Sequence, residues 1–540
     1  MKLRHQINAL LLACTATSQL LDPLDLEYSA HLEQNIQPMN TGPRVRNSHL
    51  ELEERALPIK HDDALDGNVV SIADLEIQSV SLRPGQESSI YAFDFTTETS
   101  NFITSFYLSA NVGEYPIDDV KSWTAAEMKE YFGMRFYVNS TKFSYMETFK
   151  EGYTSDIAYF TNKLEALDGV LYVQPYFHAN STLFNDTDNF VLEFAISEAH
   201  IAFQWDNGTM TNLVDADDDS AVFLSSVMNT TVQPESYWLN HSSSIHVHVF
   251  DIEGYRRLQG LTRSWLAVTD SVPVVEDSSI ERIFTTSKGE LQEQFVISGL
   301  NASTVYYVIF TESFGSGEQG GVVYSAIEIV TQKEGSCELI FGLDFCDNVA
   351  YSVPQSYEFA KDKNRTALKL LYDNYASSVY QNFSYAMQQI SCDAESDSRY
   401  SPIATCQDCH NSYKNWLCGV LIPRCATTPN DYFMARSAGE MRTEQLSSMI
   451  NPPSDWYEVL PCIDMCHAIV RDCPSDFSFS CPQDSSSILQ SYSYWDDDSS
   501  FDTCNNVGNG TMTATSSGRK SVKLGWGHLL LLGVCWIFVF

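Results

Sequence analysis

"CHNSYKNWLCGVLIPRC", residues 409–425, carries three cysteines in a C-x8-C-x6-C rhythm. No cysteine occurs between residues 15 and 336, whereas Cys337, Cys346, Cys392, Cys406, Cys409, Cys418, Cys425, Cys462, Cys466, Cys473, Cys481 and Cys504 crowd the last third. Thiols at that density form a metal site, a redox centre or a disulfide framework. The choice among the three fixes the compartment, and the compartment narrows the function.

The two ends address that choice. "MKLRHQINALLLACTATSQ" places Lys2, Arg4 and His5 before an apolar core, Ile7 to Ala13, and then the small residues Cys14, Ala16 and Ser18. Residues 1–18 thus have the layout of a secretory signal, against the alternative of a buried amphipathic helix. At the other end Ser516, Ser517 and Gly518 precede a polar spacer, Arg519 to His528, and an apolar tail from Leu529 onward. Residues 506–540 therefore read as a glycolipid-anchor signal with Ser516 as candidate attachment site, the alternative being an inserted apolar tail. The tail is shorter than the roughly 20 apolar residues of a spanning helix.

Asn139, Asn180, Asn185, Asn207, Asn229, Asn240, Asn301, Asn364, Asn382 and Asn509 lie in N-x-S/T sequons. A single sequon is weak, but so many together with a signal segment predict a heavily glycosylated ectodomain. In an oxidising compartment the twelve cysteines are bridged rather than metal-bound, with connectivity left open. The formal charge of −38 excludes a nucleic-acid binder and disfavours anionic lipid. Such a surface attracts cations, over a screening length of about 8 Å at physiological salt.

Composition divides the chain further. Residues 19–65 are a polar linker. Residues 66–210 alternate apolar and polar positions, as in "IADLEIQSVSLRPGQESSIYAFDF" (72–95), and read as a β-rich domain, with "SWTAAEMKEYF" (122–132) as a helix inside it. Residues 211–335 read as a β-sandwich. Its end places Leu300, Thr304, Tyr306 and Val308 in an L-x3-T-x-Y-x-V spacing that resembles fibronectin type III sandwiches. In those folds the tyrosine hydroxyl pins the corner between sheets to upstream backbone. Residues 336–505 turn helical: one long stretch or two helices over 356–390, and "PCIDMCHAIVRDC" (461–473), whose three cysteines share a helix face.

The cysteine order, with Val349-Ala350-Tyr351 following Cys346, resembles the Frizzled-type cysteine-rich domain in ten positions, leaving Cys392 and Cys406 as extras. The resemblance implies bridges Cys337–Cys425, Cys346–Cys418, Cys409–Cys473, Cys462–Cys504 and Cys466–Cys481, with Cys392 and Cys406 left to each other. The whole order of signal, glycosylated β-rich body, Frizzled-like module and apolar terminus is similar to the fungal stretch-activated calcium-channel component family, the regulatory subunit of the yeast high-affinity calcium influx system. That similarity implies an α+β multidomain, non-enzymatic glycoprotein without cofactor. It implies a place on the extracellular face of the plasma membrane after transit through the endoplasmic reticulum, a four-repeat pore subunit as partner, and support of calcium influx in mating and stress. Rival readings are a Frizzled-like lipid or ligand receptor and an anchored cell-wall protein.

Other motifs read as incidental. "CQDCH" (406–410) fits a haem-attachment string, and Gly315, Gly317 and Gly320 spell G-x-G-x-x-G between two strands, as a hairpin loop would. His246 and His248 share a strand face and lack a third ligand, since Asp251 falls on the opposite face. "DADDDS" (215–220) opens like a calcium loop but has Ser220 where glycine is needed and Ser226 where glutamate is needed, so it reads as a solvated acidic loop. "WDDDSSFDTC" (495–504) reads the same way.

Overall fold

The structure, a computed structural model, describes residues 69–507 apart from 95–103, 117–129, 139–142, 146–158, 167–169, 181–182, 199–200, 229–243, 259, 288–289, 315–319, 393–399, 402, 497 and 500. The signal segment 1–18, the linker 19–65 and residues 508–540 lie outside the described residues. All described residues fall in one compact unit, Arg55–Phe540.

Alternation produces the strands, and burial shows which face each presents. In β2 (Gln78–Leu82) Val80 and Leu82 are buried while Ser79 and Ser81 are exposed. The first strands are β1 (Val69–Ser71), β2, β3 (Gln86–Glu87), β4 (Ile90–Asp94) and β5 (Thr104–Glu114). They are followed by β6 (Phe132–Val138), β7 (Phe143–Tyr145), β8 (Tyr159–Ala166), β9 (Val170–Phe177) and β10 (Phe190–Ser197). They make two sheets, ordered β1-β4-β9-β6-β7 with β3 also on β9, and β2-β10-β5-β8. Leu108, Leu171, Val173, Phe190, Leu192 and Phe194 from both sheets share one buried apolar cluster. Most of the helix expected over 122–132 lies outside the described residues, and Phe132 already opens a strand.

A second pair of sheets follows: β11 (Phe203–Asp206), β12 (Thr211–Ala216), β13 (Ser220–Ser225), β14 (Ile245–Asp251), β15 (Ile280–Ser287), β16 (Glu290–Ser298), β17 (Val305–Ser313), β18 (Gly321–Tyr324) and β19 (Ile327–Val330). The orders are β11-β18-β17-β14, with β19 on β17, and β12-β13-β16-β15. β11 falls inside the 66–210 segment of the sequence reading, yet it pairs in parallel with β18. Alternation reports that a strand exists and is silent about which sheet it joins. The Tyr306 hydroxyl accepts the backbone N–H of Asn301 at 2.9 Å, the corner that the L-x3-T-x-Y-x-V spacing predicts. Phe310 stands edge-on to Phe223 and Phe295 in the core beneath it, with ring centroids 5.3 and 5.5 Å away.

Two short helices, α1 (Ile252–Arg257) and α2 (Trp265–Asp270), leave this second body. Ser264 caps α2, and buried Asn111 of β5 accepts both the Leu266 N–H (2.6 Å) and the Ser264 hydroxyl (3.0 Å). That bond set, with Trp265 in the first apolar cluster, fastens the second body to the first.

The last third holds β20 (Cys337–Ile340) paired with β21 (Tyr351–Pro354), and a three-stranded sheet ordered β22 (Arg424–Ala426), β24 (Trp456–Val459), β23 (Met434–Arg436). Around them lie α3 (Tyr357–Asp362), α4 (Arg365–Met387), α5 (Cys406–Leu421), α6 (Glu444–Met449), α7 (Ile463–Asp472) and α8 (Ser485–Ser491). The stretch 356–390 is two helices. Lys363 turns left-handed at φ 45°, and Asn364 then caps α4 by accepting the Ala367 N–H at 3.0 Å. The whole is a mixed α+β chain, mostly strands, ending in a disulfide-rich helical region.

Candidate functional site

Six disulfides hold the last third: Cys337–Cys425, Cys346–Cys418, Cys392–Cys406, Cys409–Cys473, Cys462–Cys504 and Cys466–Cys481. These are the pairs the Frizzled-type resemblance implies. Cys462 and Cys473 sit at the two caps of α7 and Cys466 lies within it, so the helix is clamped at both ends and in its first turns. The bridges are set within an apolar core: Leu368, Tyr372 and Trp456 pack among Cys337, Cys346, Cys418 and Cys425. Among the twelve cysteines Cys392 is the exposed one.

The acidic stretch 215–220 differs most from its sequence reading. It is not a solvated loop. Asp215 and Asp217 are both 0 % exposed, because the turn between β12 and β13 is driven into the cysteine-rich region. Asp217 Oδ1 accepts the N–H groups of Asp219 (3.0 Å) and Ser220 (2.6 Å), which shapes the turn. Its Oδ2 accepts the Leu339 N–H from β20 at 2.8 Å and lies 3.2 Å from Arg365 Nη2. Arg365, at the start of α4, also bonds Glu338 (3.0 Å) and the Ser220 hydroxyl (3.0 Å). Lys363 pairs with Asp219.

On the other flank Asp215 accepts the Ser352 N–H at 2.9 Å and lies 3.5 Å from Arg424 Nε. Arg424 pairs with Asp502 at 2.9 Å, so the second acidic run, 495–504, also sends a carboxylate inward instead of into solvent. Gln332 Nε2 and the Ser352 hydroxyl both donate to the Ala216 carbonyl, at 2.8 and 3.1 Å. Val214, Val222 and Val296 of the second body close the joint against Leu339. Sequence reasoning missed these residues because a run of aspartates is usually wet. The available signal was its counterpart: Glu338 and Arg424 are charges set next to cysteines in apolar strands.

The joint's electrostatics follow from burial. Burial raises the Asp217 carboxyl, with Arg365 opposing. Asp218 rises to about 6 through burial and the neighbouring charges of Asp217 and Asp219. Glu338 rises to about 7 through burial and Asp217. Burial also pushes Asp219 up, but its bonds from Lys363 and Ser220 outweigh this and leave it lowered. Oxygens of Asp217, Asp218 and Asp219 lie within 4.8 Å of one another. The positive charge they meet in this structure comes from Lys363 and Arg365, which makes the arrangement an ion-pair joint.

The remaining candidates are placed as follows. Cys406 and Cys409 of "CQDCH" are consumed in different bridges, and His410 Nδ1 lies 2.6 Å from the Tyr380 hydroxyl. His248 Nε2 lies 3.0 Å from Thr311 Oγ1, and burial with His246 beside it lowers its pKa to about 4. Gly320 sits in the β17–β18 hairpin at φ +83°, where a Cβ would collide with the Ala202 carbonyl. Gly315 and Gly317 lie outside the described residues. Asn185, Asn207, Asn301, Asn364 and Asn382 are exposed and Asn180 is half-buried, while Asn139, Asn229, Asn240, Asn509 and Ser516 lie outside the described residues. A cavity of about 580 Å³ opens between the end of α4 and α5, lined by Ser384, Met387, Gln388, Ile390, Cys392 and His410.

Comparison with known proteins gives one family. The family model described as Mid1, stretch-activated Ca2+-permeable channel component, matches residues 105–510. A Saccharomyces cerevisiae relative named stretch-activated cation channel MID1 is 38 % identical over 360 residues, 60 % of this chain and 64 % of that protein. A Schizosaccharomyces pombe relative, stretch-activated cation channel yam8, is 34 % identical over 247 residues, 46 % of this chain and 49 % of its own length. A Cryptococcus neoformans relative, also named stretch-activated cation channel MID1, is 24 % identical over 218 residues, 34 % of each chain. The chain thus spans less than two thirds of the length of the curated relatives it matches.

Proposed function

We propose a function from one premise: the chain belongs to the Mid1 family of stretch-activated Ca2+-permeable channel components, whose model spans residues 105–510. It acts as an extracellular auxiliary subunit of a plasma-membrane calcium channel. It supports calcium influx under stretch, mating or stress, and its partner is a four-repeat pore subunit. The observation that carries this reading is the single match running unbroken from the β-rich part through the cysteine-rich part. Six disulfides support an exported protein, since such bridges form and persist in oxidising compartments.

Residues 336–505 form a Frizzled-like module that docks on the pore's outer loops. Residues 1–18 direct export through the endoplasmic reticulum, and the ten sequons carry glycans. Residues 506–540 attach the protein to the membrane, with Ser516 as lipid acceptor. No helix among the described residues is long and apolar enough to cross a membrane. The acidic joint is the coupling element of this reading: it fixes how the module sits on the sandwich, so a load on one reaches the other. Such a subunit changes channel opening only through differential binding of open and closed states.

A ligand-receptor reading would rest on the cavity beside α5. Its lining mixes Ser384, Gln388, Ser391 and His410 with Met387 and Ile390, which is more polar than an acyl groove needs. Calcium uptake in a deletion strain tests the main reading. The full chain restores uptake, and a Cys337→Ser/Cys425→Ser chain does not. Uptake unaltered by deletion, together with altered wall polymer, would favour an anchored wall protein instead.

A further inference from the structure

We propose that the joint between the β12–β13 turn and the cysteine-rich region is a proton-stabilised clasp, tightened by acid and loosened as pH rises past neutrality. The inference rests on the reading of that joint as the coupling element.

Asp217, Asp218 and Asp219 on the turn and Glu338 on β20 face Lys363, at the end of α3, and Arg365, at the start of α4. On the opposite flank Asp215 of β12 and Asp502 face Arg424 of β22. The first flank therefore sets four carboxylates against two cations. Asp217 is fully buried, where unbalanced charge is costly. The excess is relieved by binding protons or by parting the surfaces so that water returns.

Glu338 is the group best placed to take the proton. Its Oε1 accepts from Arg365 at 3.0 Å and its Oε2 from Gln355 Nε2 at 3.4 Å, both from within the cysteine-rich region. Neutralising it removes its repulsion with Asp217 and leaves Arg365 to Asp217 and Asp219, which belong to the other body. Cross-joint attraction therefore gains. Asp218, half-exposed on the same turn, is the second acceptor.

The sign follows from linkage. Glu338 and Asp218 are held above their ordinary values, at about 7 and about 6, so each binds its proton more tightly with the clasp closed. Their contribution is complete below the unfolded values and disappears as pH rises through about 6 to 7. Asp219 runs the opposite way, but it is lowered, so it titrates below that window. Lys363 and Arg365 are both raised and stay charged throughout.

The test is hydrogen–deuterium exchange of the full chain, corrected for intrinsic exchange chemistry, at about pH 5.5 and about pH 7.5. Peptides covering Cys337–Phe341 and Tyr351–Gln355, which contain the joint's Leu339 and Ser352 N–H groups, are expected to be about tenfold better protected at the lower pH. Peptides of β9, a strand without a carboxylate, serve as the reference. Glu338→Gln shrinks that ratio to about threefold or less. If that variant does not fold, Asp218→Asn, on a half-exposed side chain, must shrink the ratio in its place. Equal protection at both pH values, greater protection at the higher one, or protection that follows added calcium instead of protons overturns the clasp. So does a ratio left intact in the folded variant. Exchange does not depend on a pore subunit, so failure here leaves the channel reading standing, and failure of calcium uptake leaves the clasp standing.

Discussion

Asp217 and Leu339, 122 positions apart, are joined by a 2.8 Å hydrogen bond from backbone N–H to buried carboxylate. The same carboxylate shapes its own turn through Asp219 and Ser220, so one side chain defines both the local conformation and the long-range contact. Asp217→Ala strands the Leu339 N–H and removes a partner of Arg365, at an expected cost of about 3 kcal/mol. Asp217→Asn keeps one carboxamide oxygen and costs less. Urea unfolding of the two variants beside the parent chain checks the order. An unchanged midpoint in the alanine variant would remove Asp217 from the joint.

The disulfides differ in the loops they close. Cys337–Cys425 spans 88 positions and Cys392–Cys406 spans 14. Loop-closure entropy makes them worth about 4.5 and about 3 kcal/mol respectively. Cys337→Ser/Cys425→Ser is therefore expected to prevent stable folding, whereas Cys392→Ser/Cys406→Ser leaves folded protein of lowered stability, and thermal unfolding of the two variants checks the order. Since Cys392 is exposed, limiting reductant followed by alkylation and mass spectrometry labels Cys392 and Cys406 first. First labelling of buried Cys337 or Cys425 would contradict this placement.

Tyr306→Phe keeps the ring in the core and deletes the bond from the Asn301 N–H. Asn301 is exposed, so water replaces the lost acceptor and the cost is about 1 kcal/mol. Thermal unfolding of the variant measures it. A loss several times larger would mean the hydroxyl has a further partner.

His248 provides a pH dependence of opposite sign to that of the acidic joint. Its folded pKa is lowered to about 4 from an ordinary 6.5, so folding favours the neutral ring. The stability it permits is present above the unfolded value and is lost as pH falls from about 6.5 towards 4. Exchange of peptides from β14 and β17 should rise with acid in the parent chain and rise less in His248→Gln. Identical acid profiles would show that another group is responsible.

Strands and bridges were the legible part of this sequence, for physical reasons. Alternating residues such as Val80 and Leu82 reveal a half-buried strand because side-chain direction has period two. That the cysteines are bridged was legible from their density and even number, whereas their pairing came only through the resemblance to the Frizzled-type domain. What alternation leaves out is partnership. β11 joins β18 across more than a hundred residues, and nothing local marks that choice. The joint was hidden for a related reason. Asp215 and Asp217 are buried only because Arg365, Arg424 and the N–H groups of Leu339 and Ser352 come from far along the chain to meet them. A run of acids seen alone has no such partners, and water is then the default.

Purification of the full-length chain from native membranes, with mass spectrometry of what accompanies it, tests the central claim most directly. The account predicts that a four-repeat calcium-channel pore subunit is recovered in near-equal amount, and that it is lost when the Cys337–Cys425 bridge is removed. Recovery of the glycosylated, fully bridged chain without any pore subunit, from membranes that contain one, would contradict it.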